Sequence, residues 1–388
     1  MGGGPPAKGA AVQAPDPIYL DYNATTPIDP RVVQAMLPWL TTHFGNPSSP
    51  HVYGRRARAA VERARAQVAA LVGAEPAGVV FTSGGTEANN HALRGALRLR
   101  GAGRLVTGAT EHPAVLAVCR DLEREGTVTT LLPVDGDGRV GAAAAARAIG
   151  PGTVLVSLML ANNEVGTLQP VAEVARLARA AGALSHSDCA QAAGKVPVGL
   201  DDLGVDMISL AGHKLYAPKG VGALCLRPGL ALPNLMHGAG HEGGRRPGTE
   251  NVASIVGLGE ACALAAQGLQ AEAQRLQDLR DRLAAALLAD FPEAVVHGAG
   301  APRLPNTLSI AFPGRTAAAI LARLYTVAVS AGAACHGDRD VGSHVLAAMG
   351  VPPLVARGTL RVSLGRMTTP AQTQAAAAAI AAAVRAAA

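Results

Sequence analysis

Residues 79–93, VVFTSGGTEANNHAL, pass from a short apolar run through a Gly-Gly turn into a helical pattern. A strand that ends in such a turn aims backbone N–H groups and the positive end of the helix at one point, where a phosphate could sit. Gly84 and Gly85 permit close backbone approach, and Thr86 could both cap the helix and offer its hydroxyl. The spacing is not that of a Walker A loop, and an ordinary strand-to-helix turn explains the stretch as well. Working outward, the same alternation recurs: RLVT at 104–107, a helix from Pro113, TVLVSLML at 153–160, VAEVARLARAA at 171–181, ALSHS at 183–187 and VDMISLA at 205–211. This predicts an α/β fold, a large mainly parallel sheet with helices on both faces and ligands at the strand C-terminal ends. A helical pattern over 252–291 then leads into a smaller C-terminal α/β pattern with strands NTLSIAF, VAVSA and TLRVSLG. The expected organisation is a flexible arm over 1–16, a large domain over 17–262 and a small domain over 263–388.

Composition excludes several classes. Of 388 residues, 49% are hydrophobic and 16% charged, too rich in apolar groups for a disordered chain. The net charge of +6 is spread among acids except at Arg55–Arg65, whose helical spacing reads as a solvated face. With 3% aromatic residues and no nucleic-acid module, no nucleic-acid partner is expected. The five cysteines show neither CxxC nor zinc spacing, which fits a reducing compartment and implies no metal. MGGGPPAKGAAVQAPD lacks the charged and apolar regions of a signal peptide, and the C-terminal alanine run is too short to span a bilayer. A cytoplasmic protein without a membrane partner is expected.

Several positions beyond strand ends could carry chemistry. Asp188 and Gln191 follow ALSHS, and a carboxylate there could hold a protonated ring nitrogen or simply cap a helix. Lys214 follows VDMISLAGH on the same rim; a lysine beside a phosphate cradle and an acid that pairs with a ring is what covalent attachment of pyridoxal phosphate requires. Alone it would be a surface residue. His112, before Pro113, could stack on a cofactor ring and shuttle protons or serve structure only. Asn163 in ANNEVGT could bond the phenolic oxygen or build a turn. Cys335 sits in the Gly/Ala-rich loop VAVSAGAACHGDRD, where little bulk shields it, and His336 and Asp338 could tune it. The other cysteines lie in helical or strand patterns or, for Cys189, beside Asp188. Arg361 in TLRVSLGR could hold a carboxylate bidentately.

With these residues in place, the chain resembles the pyridoxal phosphate-dependent cysteine desulfurases and selenocysteine lyases, in the class-V aminotransferase group of fold type I. The resemblance runs through YLDYNATTP, FGNPSSPH, FTSGGTEANN, TEH, ANNEVGT, SDCAQAAGK, the AGHKLYAPKGVGAL region, MHGAGHEGGRRPGTEN, RLPNTLS, SAGAACHGD and LRVSLGRMTT. It implies a large sheet domain with a smaller C-terminal domain, pyridoxal 5'-phosphate bound covalently to Lys214, and Asp188 on the ring nitrogen. It also implies His112 over the ring as acid and base, and Asn163 and Gln191 near the ring oxygen. Gly85, Thr86 and His213 would bind phosphate, with Thr249 of a homodimer partner completing the site. Arg361 would hold the substrate carboxylate and Cys335 would take sulfur from L-cysteine, or selenium from L-selenocysteine, as a persulfide or its selenium counterpart, leaving L-alanine. A sulfur or selenium acceptor protein is a further implied partner. Many relatives have serine where this chain has Ala211, so one phosphate hydroxyl is missing. A dedicated selenocysteine lyase and an aminotransferase on the same fold are the alternatives.

Overall fold

The computed structural model describes residues 16–101, 103–332 and 342–387, so the expectations for Cys335, His336 and Asp338 lie outside the described residues. β1 (Ile18–Tyr19) pairs in parallel with Val327–Ala328. The large sheet contains β2 (Val79–Thr82), β3 (Arg104–Gly108), β4 (Val128–Leu132), β5 (Thr153–Ser157), β6 (Leu184–Asp188), β7 (Met207–Ala211) and β8 (Gly222–Leu226), in the spatial order β2-β8-β7-β6-β5-β3-β4. Every residue of β2, β6, β7 and β8 is buried. Covered on both faces, β2, β7 and β8 read as near-continuous apolar runs rather than alternating ones, whereas β6, Leu-Ser-His-Ser-Asp, buries polar side chains that bond across the sheet.

The pairings β4/β3, β3/β5, β5/β6 and β6/β7 are parallel, as expected, but β8 runs antiparallel between β7 and β2. Its connection from β7, residues 212–221, is too short for a helical crossover, so the chain can only turn back. β4 lies on one side of β3 and β5 on the other. The strand order reverses there, opening a crevice at the C-terminal ends of β3 and β5.

The longer helices are α1 (Pro30–Thr41), α2 (Val52–Leu71), α3 (Gly85–Arg100), α4 (Pro113–Arg124), α5 (Val171–Ala180), α6 (Val252–Asp290) and α7 (Pro370–Ala386). A second sheet joins β9 (Val295–Val296), β10 (Thr307–Ala311), β12 (Ser330–Ala331) and β13 (Thr359–Ser363), in the order β12-β13-β10-β9, with β11 (Val327–Ala328) paired to β1 instead. The predicted strand VAVSA is therefore broken at Val329, because its two halves pair with different partners. α6 is long and apolar enough to cross a bilayer, yet its apolar residues are divided between two protein cores. Ile255, Leu258 and Cys262 pack in the cluster beneath the large sheet; Leu276, Leu283 and Leu287 pack with Leu308, Ile310 and Leu360 of the small one.

Candidate active site

The glycine turn forms as the sequence suggests, with one difference. α3 begins at Gly85 with Gly84 as its N-cap, so Thr86 lies inside the first turn and does not cap it. A helix start leaves its first amides without intrahelical partners. They border a cavity of about 410 Å³ lined by Ala24, Thr25, Ser83, Gly85, Thr86 and His213. Gly222 on β8 makes this possible: a Cβ there would stand 2.7 Å from Gly84 Cα and 2.5 Å from Leu210 O. A Cβ on Gly85 would come within 3.2 Å of Ala211 Cβ, so the Ala211 methyl packs beneath the turn. His213 Nδ1 lies 3.1 Å from Thr25 Oγ1. Burial, then the neighbouring Lys214 charge, pushes the imidazole down to about 4, leaving it neutral.

Lys214 follows β7 and is mostly enclosed. Its Nζ donates to Asn23 O at 2.5 Å and Ala24 O at 2.7 Å. Burial, and then the Arg361 charge, lowers its pKa to about 8, against the opposing pull of Asp21 and Asp188. A lysine so placed has far more neutral, nucleophilic amine near physiological pH than a solvated one. Asp188 ends β6 and is buried. Its Oδ2 accepts from Asn89 Nδ2 at 2.7 Å and its Oδ1 from the Ala190 amide at 2.9 Å. The second bond closes a turn rather than capping a helix, the alternative the sequence offered, since the next helix starts only at Leu200; the first comes from α3 and holds the carboxylate in place.

The remaining predicted residues fall on the same rim with differing roles. His112 is the N-cap of α4, its Nδ1 accepting from Ala114 N at 3.1 Å. That fixes the proton of the neutral ring on Nε2. The structural reading of His112, as a helix cap, is the one this contact displays. Within ANNEVGT, Asn162 builds the turn, Oδ1 accepting from the amides of Glu164 and Val165. Asn163 is gripped by its backbone: its carbonyl accepts from Asn23 Nδ2 and from Arg361 Nη1, each at 3.2 Å. Gln191 Nε2 donates to Asn23 O at 2.9 Å. Arg361, on β13, also reaches Asp21 Oδ1 at 2.9 Å and Ser330 Oγ at 3.2 Å. Among the described residues its buried Nε has no hydrogen-bond partner, and its charge reaches Lys214.

Thr249 is exposed and does not line the cavity of its own chain. The flanks of the Cys335 segment both end on site residues: Ser330 on Arg361, and Ser343 through a 2.5 Å bond to Glu164 Oε2. The other four cysteines are buried and free. Burial raises each thiol, Cys119 and Cys262 to about 12, so thiolate formation is suppressed at all four.

Sequence reasoning missed four residues. Asn89 lies one helical turn beyond Thr86, a spacing that could have revealed it. Asn23 joins both sheets, its side chain bonding Asn163 O, Thr307 Oγ1 and Asn306 Nδ2. Asp21 pairs with Arg361. Lys195 is buried, and burial with the charges of Lys214 and Arg361 lowers it to about 7.

A doubly covered sheet with a lysine, a carboxylate and a helix start converging on its C-terminal rim defines a pyridoxal phosphate enzyme of fold type I. The chain belongs to the class-V aminotransferase family, whose profile, described as Aminotransferase class-V, matches residues 18–375. It is 45% identical to a cysteine desulfurase of Trichormus azollae over 92% of this chain and 90% of that one. It is 47% identical to a cysteine desulfurase of Gluconacetobacter diazotrophicus over 91% and 90%. Among solved structures it superposes on a NifS-like protein with TM-score 0.87, 35% identity and coverage of 94% and 98%. Members of this family use pyridoxal 5'-phosphate, and the site fits it. Lys214 would carry the aldehyde, Asp188 would face the ring nitrogen, and the cavity at the start of α3 would take the phosphate.

Proposed function

We propose that the protein is a cysteine desulfurase, taking sulfur from L-cysteine and leaving L-alanine. The observation that carries this is the convergence of the Lys214 amine, the Asp188 carboxylate and the Gly84–Thr86 turn on one rim, with the Arg361 guanidinium close enough for its charge to act on Lys214. Bound there, pyridoxal phosphate supplies an electron sink for the carbon next to the substrate amine. Asp188, held by Asn89, keeps the ring nitrogen charged. The Lys214 amine, with its lowered pKa, would serve as a base for the substrate Cα proton, and His112, whose Nε2 is left to carry the ring proton, would serve as a second proton carrier. Arg361 orients the substrate carboxylate. The Cys335 thiolate attacks the substrate sulfur, the carbon–sulfur bond breaks with its electrons left on the substrate carbon, and protonation there yields alanine and a Cys335 persulfide. Suppression of the four buried thiols leaves Cys335 as the cysteine suited to this step. An acceptor protein would then take the sulfur. L-Selenocysteine, with the more acidic selenol, is the second substrate to compare.

The site would be completed in a homodimer. Leu40 and Phe44 stand 66% and 82% exposed, Phe44 stacked on Tyr53, an apolar surface leading to Ser48, whose Oγ lies 3.2 Å from His241 Nδ1 eight residues before Thr249. Thr249 of one subunit would reach the phosphate of its partner. The test is alanine and sulfide release from L-cysteine by the wild type and Cys335→Ala. Production of alanine by the wild type alone supports the assignment; equal turnover by the variant refutes the nucleophile, and a keto acid in place of alanine would mark an aminotransferase.

A further inference from the structure

The Gln191 amide is held at both ends. Lys195 Nζ donates to Gln191 Oε1 at 2.8 Å, and Gln191 Nε2 donates to Asn23 O, the carbonyl that also receives Lys214 Nζ. Lys195 is buried, and among the described residues the charged groups that act on it are two further cations, Lys214 and Arg361. Burying an ammonium costs several kcal/mol unless something compensates, so an apolar side chain would serve packing better here.

The chemistry of the two side chains says what the lysine does. An amide can lie either way round, with oxygen and nitrogen exchanged. An ammonium has only donors, so beside charged Lys195 one orientation survives: oxygen toward Lys195, NH2 toward Asn23 and Lys214. The flipped amide would set NH2 against the ammonium and Oε1 against Asn23 O.

We propose that Lys195 is a positioning residue that, in its charged form, fixes the orientation of the Gln191 amide, so that the site presents an N–H donor rather than an oxygen beside the Lys214 amine. This rests on the pyridoxal phosphate reading of the site, in which that donor serves the ring oxygen. Above pH 7 a neutral Lys195 amine could also accept a hydrogen bond and would tolerate either orientation, so the constraint is sharpest when Lys195 is charged.

The test is equilibrium binding of pyridoxal phosphate to the apoprotein at pH 6, read by fluorescence titration and by the visible absorption of the complex. Lys195→Met should weaken binding about tenfold, the order expected for one lost polar contact made repulsive. Lys195→Arg, which keeps a donor-only cation, should stay within about threefold of wild type. In a Gln191→Ala background Lys195→Met should change nothing further. Wild-type affinity in Lys195→Met, or an equal loss with and without Gln191, would overturn the proposal. Should Lys195→Met fail to fold by circular dichroism, Lys195→Gln carries the same comparison. Failure of the wild type to bind pyridoxal phosphate would instead overturn the reading of the site.

Discussion

Asp21 Oδ1 and Arg361 Nη2 lie 2.9 Å apart although 340 positions separate them in sequence. The pair fastens the segment after β1 to β13, and both side chains are largely shielded from water. Asp21 therefore orients the guanidinium proposed to hold the substrate carboxylate, and also favours the charged form of Lys214. Asp21→Asn should raise KM for L-cysteine roughly three- to tenfold with a smaller change in kcat. Steady-state kinetics check this, and an unchanged KM would detach Asp21 from Arg361.

Cofactor uptake should follow the ionisation of Lys214. The neutral amine attacks an aldehyde, and the pKa here stands at about 8 rather than the lysine value of about 10.4. Uptake of pyridoxal phosphate by the apoprotein should therefore accelerate as pH rises toward 8 and level off above it. In Asp21→Asn, which removes a charge favouring the ammonium, the midpoint should move lower. Stopped-flow absorbance across pH 6–10 reads both, and a midpoint near 10 would contradict the burial of this amine.

Asn89→Ala should loosen Asp188. The lost 2.7 Å bond is made to a carboxylate, and such bonds are worth about 1.5–3 kcal/mol. Retention of pyridoxal phosphate, followed by dialysis, should fall by an order of magnitude or more. Retention equal to wild type would show that Ala190 N alone holds the carboxylate.

Arg65 and Glu242 form a buried two-pronged ion pair, with contacts of 2.9 and 2.8 Å, and Glu242 also accepts from the Phe81 amide on β2. Removing one partner of such a pair costs about 3–5 kcal/mol. Glu242→Leu should lower the urea midpoint accordingly. It should also disturb the segment bearing Thr249, which Glu242 pins to the large sheet; the dissociation constant of the proposed dimer measures that.

Much of this was readable in the chain. β2 and β7 declare themselves as apolar runs cut off by Ser-Gly-Gly and Gly-His-Lys, β6 is a polar run bounded by Ala-Leu and Asp, and that punctuation at strand ends is what makes Asp188 and Lys214 legible as rim residues. The direction of β8 was not visible, because an antiparallel strand buried on both faces has the same composition as a parallel one. Asn23 was hidden for a different reason. Its partners Thr307, Asn306 and Ser363 lie some 280 to 340 positions away, and no local period encodes such a meeting. Thr86 was misjudged as a cap because the chain enters α3 one residue earlier, on a glycine.

α6 runs unbroken from Val252 to Asp290 and belongs to both cores. At 1.5 Å per residue it is a rod of about 58 Å. Swinging one lobe against the other would have to flex that rod, a costly motion without a proline or other kink to localise it. The spacing between the lysine on one lobe and the arginine on the other is thus set by a girder, and adjustment to cargo of different bulk falls to the loops around the mouth.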